Sequence, residues 1–249
     1  MELKEKVCLI TGGTKGIGAA AAIGCALRGA SVVVVGRHRD AETLQTLQRL
    51  EEIGNPSLFL AADIGKPEEA TRCVEQSIER FGTVDVLIHS AGGPVNGGLL
   101  ALTPEAWYEA FNVHVHPIFH LCRAAVPGMQ QRREGVIVLI SSTAGIRGIK
   151  TNVAYQTVKG AIPQLTRALA YEFADDNIRV NCVAPGVVRT AFHAQMPEAV
   201  KKNNLENRIP LHREGTPEQV GTLILEMVTN DYITGETFTI DGGLTMRIA

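Results

Sequence analysis

Short apolar runs alternate with amphipathic stretches along almost the whole of this 249-residue chain. That alternation constrains the fold more than any other feature. The runs are Val7–Ile10, Ser31–Val35, Leu58–Ala61, Val84–His89, Val136–Ile140, Arg179–Val183 and Thr237–Ile240. They are rich in β-branched residues and apolar on both sides, as strands buried within a parallel sheet are. Helical patterns lie between them, at Gly18–Gly29, Ala41–Ile53, Pro67–Phe81, Pro104–Arg133, Tyr155–Asp175 and Pro217–Thr229. Thr103-Pro104-Glu105 and Thr216-Pro217-Glu218 each set a cap residue before a first-turn proline and an acid. The order predicts an α/β fold, a Rossmann-type doubly wound parallel sheet of about seven strands with helices on both faces. No linker or repeat divides the chain, so residues 1–249 read as a single domain. The stretch Val187–Thr216 lacks periodicity and reads as a functional loop or lid.

Several classes of function are disfavoured at once. The formal net charge is -2 and no long basic run occurs, whereas a phosphate backbone demands clustered cations. Arg132 and Arg133 are an isolated pair and read as a solvated helix end. No segment has the length of a transmembrane helix. The first residues run directly into the first strand without a signal-peptide pattern. The expectation is a cytoplasmic protein with neither nucleic acid nor membrane as partner. Cys8, Cys25, Cys73, Cys122 and Cys182 form no CxxC pair and read as small buried hydrophobes in a reducing compartment. His114, His116 and His120 invite a metal reading, but no acidic ligand accompanies them, so no metal is expected.

The chemistry begins at Thr11-Gly-Gly-Thr-Lys-Gly-Ile-Gly18, which ends the first strand and opens the first helix. Glycines there permit a tight turn and a close backbone approach. The free amides and the positive helix end suit a pyrophosphate. The spacing Gly12, Gly16, Gly18 differs from the commoner GxGxxG fingerprint.

That octapeptide resembles the TGxxxGxG motif of the short-chain dehydrogenase/reductase family, and the resemblance continues along nearly the whole chain. It is carried by Ala62-Asp63-Ile64, His89-Ser90-Ala91-Gly92, Ser141-Ser142, Tyr155-Gln-Thr-Val-Lys159, Asn181-Cys-Val-Ala-Pro-Gly186, Ile233-Thr-Gly235 and Asp241-Gly-Gly243. It implies a hydride transfer between a nicotinamide cofactor and a carbonyl or secondary alcohol. On this resemblance Gly12, Thr14, Lys15, Gly16, Ile17 and Gly18 hold the phosphates. Asp63 and Ile64 lie near the adenine, and Ser90, Ala91 and Gly92 line the cofactor cleft. Pro185, Gly186, Val188 and Thr190 fix the carboxamide. His89-Ser90 stands where the family has Asn-Asn, which puts a sheet-stabilising side chain in doubt.

The end of the second strand reads Gly36-Arg37-His38-Arg39 and carries no carboxylate to hold a ribose hydroxyl. Asp40 follows late and reads as a helix cap. Lys15 and Arg37 together suit the extra phosphate of NADP(H). NADP(H) is therefore favoured, with NAD(H) possible.

Tyr155 and Lys159 stand four apart on a helical pattern and share a face. A tyrosine has an unperturbed pKa of about 10. A nearby ammonium, with the positive ring of the oxidised cofactor, is expected to favour the phenolate and make Tyr155 a general acid/base. The resemblance assigns Ser142 to the substrate oxygen, Lys159 also to the nicotinamide ribose, and Asn112 to a water that relays protons near the lysine. Ser141 is expected to point to the opposite side of its strand.

For substrate the sequence leaves a 3-oxoacyl thioester, a sugar or a polyol open. Arg147, Lys150, Asn152 and Gly92-Gly-Pro94 are expected to border the cleft, with Phe192, His193, Gln195, Met196, Lys201, Lys202 and Arg208 in the lid. Asp175-Asp176 counts mildly against an acidic carrier protein. A catalytically idle dinucleotide sensor is the alternative, against which the intact Ser142, Tyr155 and Lys159 argue. By resemblance alone the chain is expected to form a homotetramer or homodimer.

Overall fold

The fold was obtained as a computed structural model, which describes residues 1–191 and 196–246. Seven strands form one sheet: β1 (Val7–Thr11), β2 (Ser31–Gly36), β3 (Ser57–Ala61), β4 (Val86–His89), β5 (Gly135–Ile140), β6 (Ile178–Pro185) and β7 (Thr237–Ile240). Their order is β3-β2-β1-β4-β5-β6-β7, and every pairing is parallel. Every residue of β1, β4, β5 and β6 is buried, which is why these segments carry almost no exposed-type side chains.

Successive side chains on a strand go to opposite faces, and the two apolar cores follow that rule. Cys8 and Ile10 of β1 and Val136, Val138 and Ile140 of β5 pack on one side. They meet α1 (Gly16–Ala26) and α8 (Pro217–Thr229) through Ala21, Cys25, Ile224 and Val228. Leu9, Ile137 and Leu139 pack on the other side. There they meet α3 (Pro67–Phe81), α5 (His116–Arg132) and α6 (Val153–Glu172) through Cys73, Leu121, Met129 and Ile162. The five cysteines are all buried and free. The chain reverses its direction across the sheet between β1 and β4, and the C-terminal ends of strands at such a switch point frame a ligand crevice.

Three expectations change. The pattern Pro104–Arg133 is not one helix. It forms α4 (Pro104–His114) and α5, separated at Val115 (φ -118°, ψ -54°). Pro117 has no amide hydrogen to continue the α4 ladder, and its ring crowds the preceding turn. The segment 187–216 contains a short helix, α7 (Glu198–Asn203), continued by a wider turn at Asn204–Arg208. Phe192, His193 and Gln195 lie outside the described residues. Arg132 is not merely solvated: its Nε is 3.4 Å from the buried Asp85 carboxylate, and its Nη2 donates to Val84 O at 3.0 Å. Asp85 also accepts the Val7 amide at 2.9 Å, so this pair ties the end of α5 to the start of the sheet. Among the described residues no helix is long and apolar enough to cross a membrane.

Candidate active site

The glycine loop is built to leave room above its backbone. Gly12 has φ +64°, and a Cβ there would sit 2.8 Å from the Ala91 backbone, so only glycine lets β1 and the turn after β4 touch. The Ser90 amide donates to Thr11 O at 3.1 Å, which closes that contact. Lys15 precedes α1 in an extended conformation, and neither a side-chain cap nor a first-turn acid occupies the helix start. The amides of Gly16, Ile17 and Gly18 are thus left for an anion. A Cβ on Gly16 would come 3.1 Å from the Thr190 methyl, so the segment after β6 closes over the loop. Gly186 donates to Ile240 O at 2.9 Å. Pro185 ends β6, and Val188 is buried and bridged to Gly215. The loop, its helix end and this covering segment fit a dinucleotide.

On the adenine side, Thr14 is buried and its carbonyl accepts from Thr46 at 2.9 Å. Asp63 Oδ1 accepts the Gly65 amide at 3.1 Å, while Ile64 is buried. Arg37 is exposed at the end of β2 and makes no hydrogen bond or ion pair among the described residues. Lys15 is engaged by Asp40, and by Glu42 at 3.2 Å. These carboxylates raise the lysine pKa, and the lysine in turn holds Asp40 down at about 2. Asp40 also caps α2 (Ala41–Ile53) by accepting the Thr43 amide. It is therefore both the expected cap and a competitor for Lys15.

The other end of the crevice is more enclosed, with Lys159, His114 and His89 buried. α6 carries Tyr155 and Lys159 on one face, with the Lys159 ammonium 5.9 Å from the Tyr155 ring centre. Lys159 is 6% exposed, and Nζ donates to Ile140 O at 2.8 Å. Burial pulls its pKa down to about 8. Ser142 stands at the end of β5, with its Oγ accepting the Ala144 amide at 3.1 Å. In the chain by itself, burial pushes the Tyr155 pKa above the ordinary value, and a hydrogen bond with Ser142 partly offsets this. Lost solvation favours the neutral phenol, and the positive cofactor ring that the expectation also invoked is not part of the chain. Ser141 turns the other way and donates to Lys159 O at 2.6 Å, fastening the helix from behind.

The comparisons with known proteins agree along the length of the chain. The family described as enoyl-(acyl carrier protein) reductase matches residues 12–245. The 3-oxoacyl-(acyl-carrier-protein) reductase FabG of Thermotoga maritima is 34% identical over 99% of this chain and 100% of its own. A 3alpha-hydroxysteroid dehydrogenase of Mediterraneibacter gnavus is 35% identical, covering 97% and 98%. A solved short-chain dehydrogenase/reductase from Burkholderia xenovorans superposes with a TM-score of 0.93 at 30% identity, over 100% of this chain and 99% of that one. The chain belongs to the short-chain dehydrogenase/reductase family.

Within that oxidoreductase family, two residues of this member stand differently from expectation. Asn112 makes no hydrogen bond to Lys159 among the described residues. Its side chain lies 3.5 Å from the Glu109 carboxylate and 3.0 Å from His116 Nδ1, on the outer side of α4. The residue that reaches inward is His114, two positions later, buried against Tyr155 edge-on with ring centres 5.7 Å apart. Two residues advance a helix by about 200°, so the two side chains face nearly opposite ways. The sequence signals only the helix break, through Pro117, and not which side chain turns inward. His116 is exposed, so the histidines expected to be unmetallated also point in different directions. His89, in the position of the family's asparagine, keeps a strand-joining role by pairing its Nδ1 with Thr11 Oγ1 at 2.9 Å.

Proposed function

We propose that this short-chain dehydrogenase/reductase interconverts a carbonyl and a secondary alcohol, using NADP(H) in preference to NAD(H). The observation that carries the reading is a half-buried Tyr155 phenol, bonded to Ser142 and flanked by Lys159, in a chain whose glycine loop leaves its amides free. When bound, the nicotinamide supplies or accepts the hydride. Ser142 orients the substrate oxygen. Tyr155 Oη gives that oxygen a proton in reduction, becoming the phenolate, and as the phenolate takes one back in oxidation. Lys159 holds positive charge beside Tyr155 and has donors to spare for a ribose. Gly12, Gly16, Ile17 and Gly18 would hold the pyrophosphate, and Thr190 with Val188 would cover the carboxamide end.

Arg37 supports NADP(H), being an uncommitted guanidinium at the end of β2 with Lys15 nearby. Both partners of Lys15 are about half exposed, so those ion pairs are weak and exchangeable. Asp40 and Glu42 in the same place favour the NAD(H) reading. The substrate is a small carbonyl compound. A 3-oxoacyl thioester and a steroid ketone are the first to try, from the names of the relatives, followed by sugars and polyols.

The test uses the full chain. Titration with NADPH and with NADH, followed by nicotinamide fluorescence, is expected to show tighter binding of NADPH. Arg37→Asp is expected to weaken NADPH by roughly 10- to 100-fold, the scale of one lost charged hydrogen bond, and to leave NADH almost unchanged. Equal binding of both cofactors would remove the phosphate-clamp reading. A carbonyl panel with the preferred cofactor then tests turnover, and no oxidation of that cofactor by any member would overturn the proposed reaction.

A further inference from the structure

Behind Tyr155 lie two buried polar groups whose needs match. Lys159 carries three N–H donors as an ammonium, and Ile140 O is the one acceptor it has among the described residues. His114 is 1% exposed. Its Nε2 lies 3.0 Å from Gly93 O, against 3.4 Å from Gly93 N. The shorter contact makes Nε2 the protonated nitrogen, since a carbonyl can only accept. That leaves Nδ1 as a bare acceptor, buried and without a partner among the described residues. A lone pair in that state costs free energy unless something donates to it.

Both atoms face the same spot. A Cβ built on Gly92 would lie 2.9 Å from His114 Nδ1 and 3.7 Å from Lys159 Nζ. A side chain at Gly92 would strike the imidazole, so glycine there is what lets the ring and the ammonium both approach this point.

We propose that His114 is a positioning residue for Lys159, its Nδ1 accepting a hydrogen bond from a water that the ammonium also binds. This deepens the reading of the reaction given above and rests on it. The imidazole takes up no proton. It stays neutral, because burial and the neighbouring ammonium hold its pKa at about 3. Its lone pair favours the charged form of Lys159, against the burial that pulls that pKa down to about 8. The charged or titratable groups around it are Tyr155 and Lys159 from α6, His89 from β4 and, on the far side of Lys159, Cys182 from β6.

Two substitutions separate the lone pair from the shape of the ring. His114→Phe keeps an aromatic edge against Tyr155 and removes the acceptor, whereas His114→Asn restores an acceptor oxygen. The readout is kcat/KM for carbonyl reduction against pH, in the full chain with its preferred cofactor. In His114→Phe the alkaline limb is expected to move to lower pH by about one unit, a roughly tenfold loss on that limb, with cofactor affinity held within about twofold. In His114→Asn the limb is expected to stay near its original place. A merely structural role would alter stability or cofactor affinity and leave the limb where it is. An unmoved limb in His114→Phe overturns the proposal.

A second measurement needs no turnover. Nitrogen-15 NMR of the histidine rings, with His114→Asn identifying the signal, is expected to show a neutral Nε2–H ring from about pH 5 to 9 whose Nδ1 resonance moves in Lys159→Met. An Nδ1–H tautomer, or no response to Lys159→Met, overturns the inference. If the unmodified protein reduces no carbonyl, the proposed reaction fails and the NMR result still decides the role of His114.

Discussion

The two ends of the crevice are held by different physics. At the phosphate end the backbone does the holding: Gly12 against Ala91, the uncapped start of α1, and Thr190 leaning on Gly16. Its charged side chains, Lys15, Arg37, Asp40 and Glu42, are all at least partly exposed to solvent. At the other end, around Tyr155 and Lys159, side chains hold side chains in a more enclosed setting. Tyr155, Lys159, His114 and His89 all have pKa values moved by burial before any other cause. The difference teaches where charge is costly. On the proposed function, a charge change at the first end is expected to shift preference between cofactors, whereas one at the second end is expected to alter the reaction and the stability of the fold.

The sharpest way to break this contrast is Tyr155→Phe. It removes the proton donor without removing the ring. Carbonyl reduction is expected to fall about 100- to 10,000-fold, while fluorescence titration shows cofactor affinity little changed. A rate within tenfold of the unmodified protein would mean that Tyr155 does not perform the proton transfer.

Acid stability tests the same region by another route. His89 and His114 are held neutral down to a pKa of about 3, against 6.5 for the free side chain. Between those values the unfolded chain binds protons that the folded chain refuses, so stability falls as pH falls. Each imidazole contributes a slope of about 1.4 kcal/mol per pH unit. Urea unfolding at several pH values between about 6 and 4 should show His89→Asn reducing that slope by one histidine's share. An unchanged slope would mean that His89 takes up a proton inside the fold. Lys159 acts with the same sign in a higher window. Its folded pKa of about 8 lies below the ordinary 10.5, so its contribution to stability rises with pH through that window.

Gly12→Ala probes the backbone end. The new methyl group meets the Ala91 backbone and is forced to a positive φ, a strain of about 1–3 kcal/mol. Thermal unfolding should show the loss in stability, and cofactor binding should weaken with it. The smallest expected effect is that of Asp40→Asn, which frees Lys15 at an exposed site. NADPH affinity is expected to rise a few-fold with NADH affinity unchanged. No gain for NADPH would mean that the lysine faces a phosphate as readily with its carboxylate partner as without it.

Much of this was legible beforehand. Helices at Ala41–Ile53, Pro67–Phe81 and Pro217–Thr229 and strand Thr237–Ile240 begin and end where the sequence pattern puts them, because caps, prolines and apolar runs act over a few residues. The pairing of Tyr155 with Lys159 is likewise a matter of helical spacing. The direction of the Tyr155 shift was not legible, since it depends on how much water the surrounding chain removes. Nor was the role of Arg132, whose partner Asp85 is 47 positions away in sequence but adjacent in the fold.

Local pattern was sufficient for the parallel sheet, the glycine turn and the spacing of the reacting pair, because each rests on contacts within a few residues or on the two periodicities of strand and helix. Which residue stands behind the lysine was decided only by the folded chain. Asn112 and His114 have almost the same neighbours in sequence. A helix break at Val115 and the close approach of Gly92 turn one outward to solvent and the other inward to Lys159. That choice comes from long-range packing, and no window of sequence contains both of its partners.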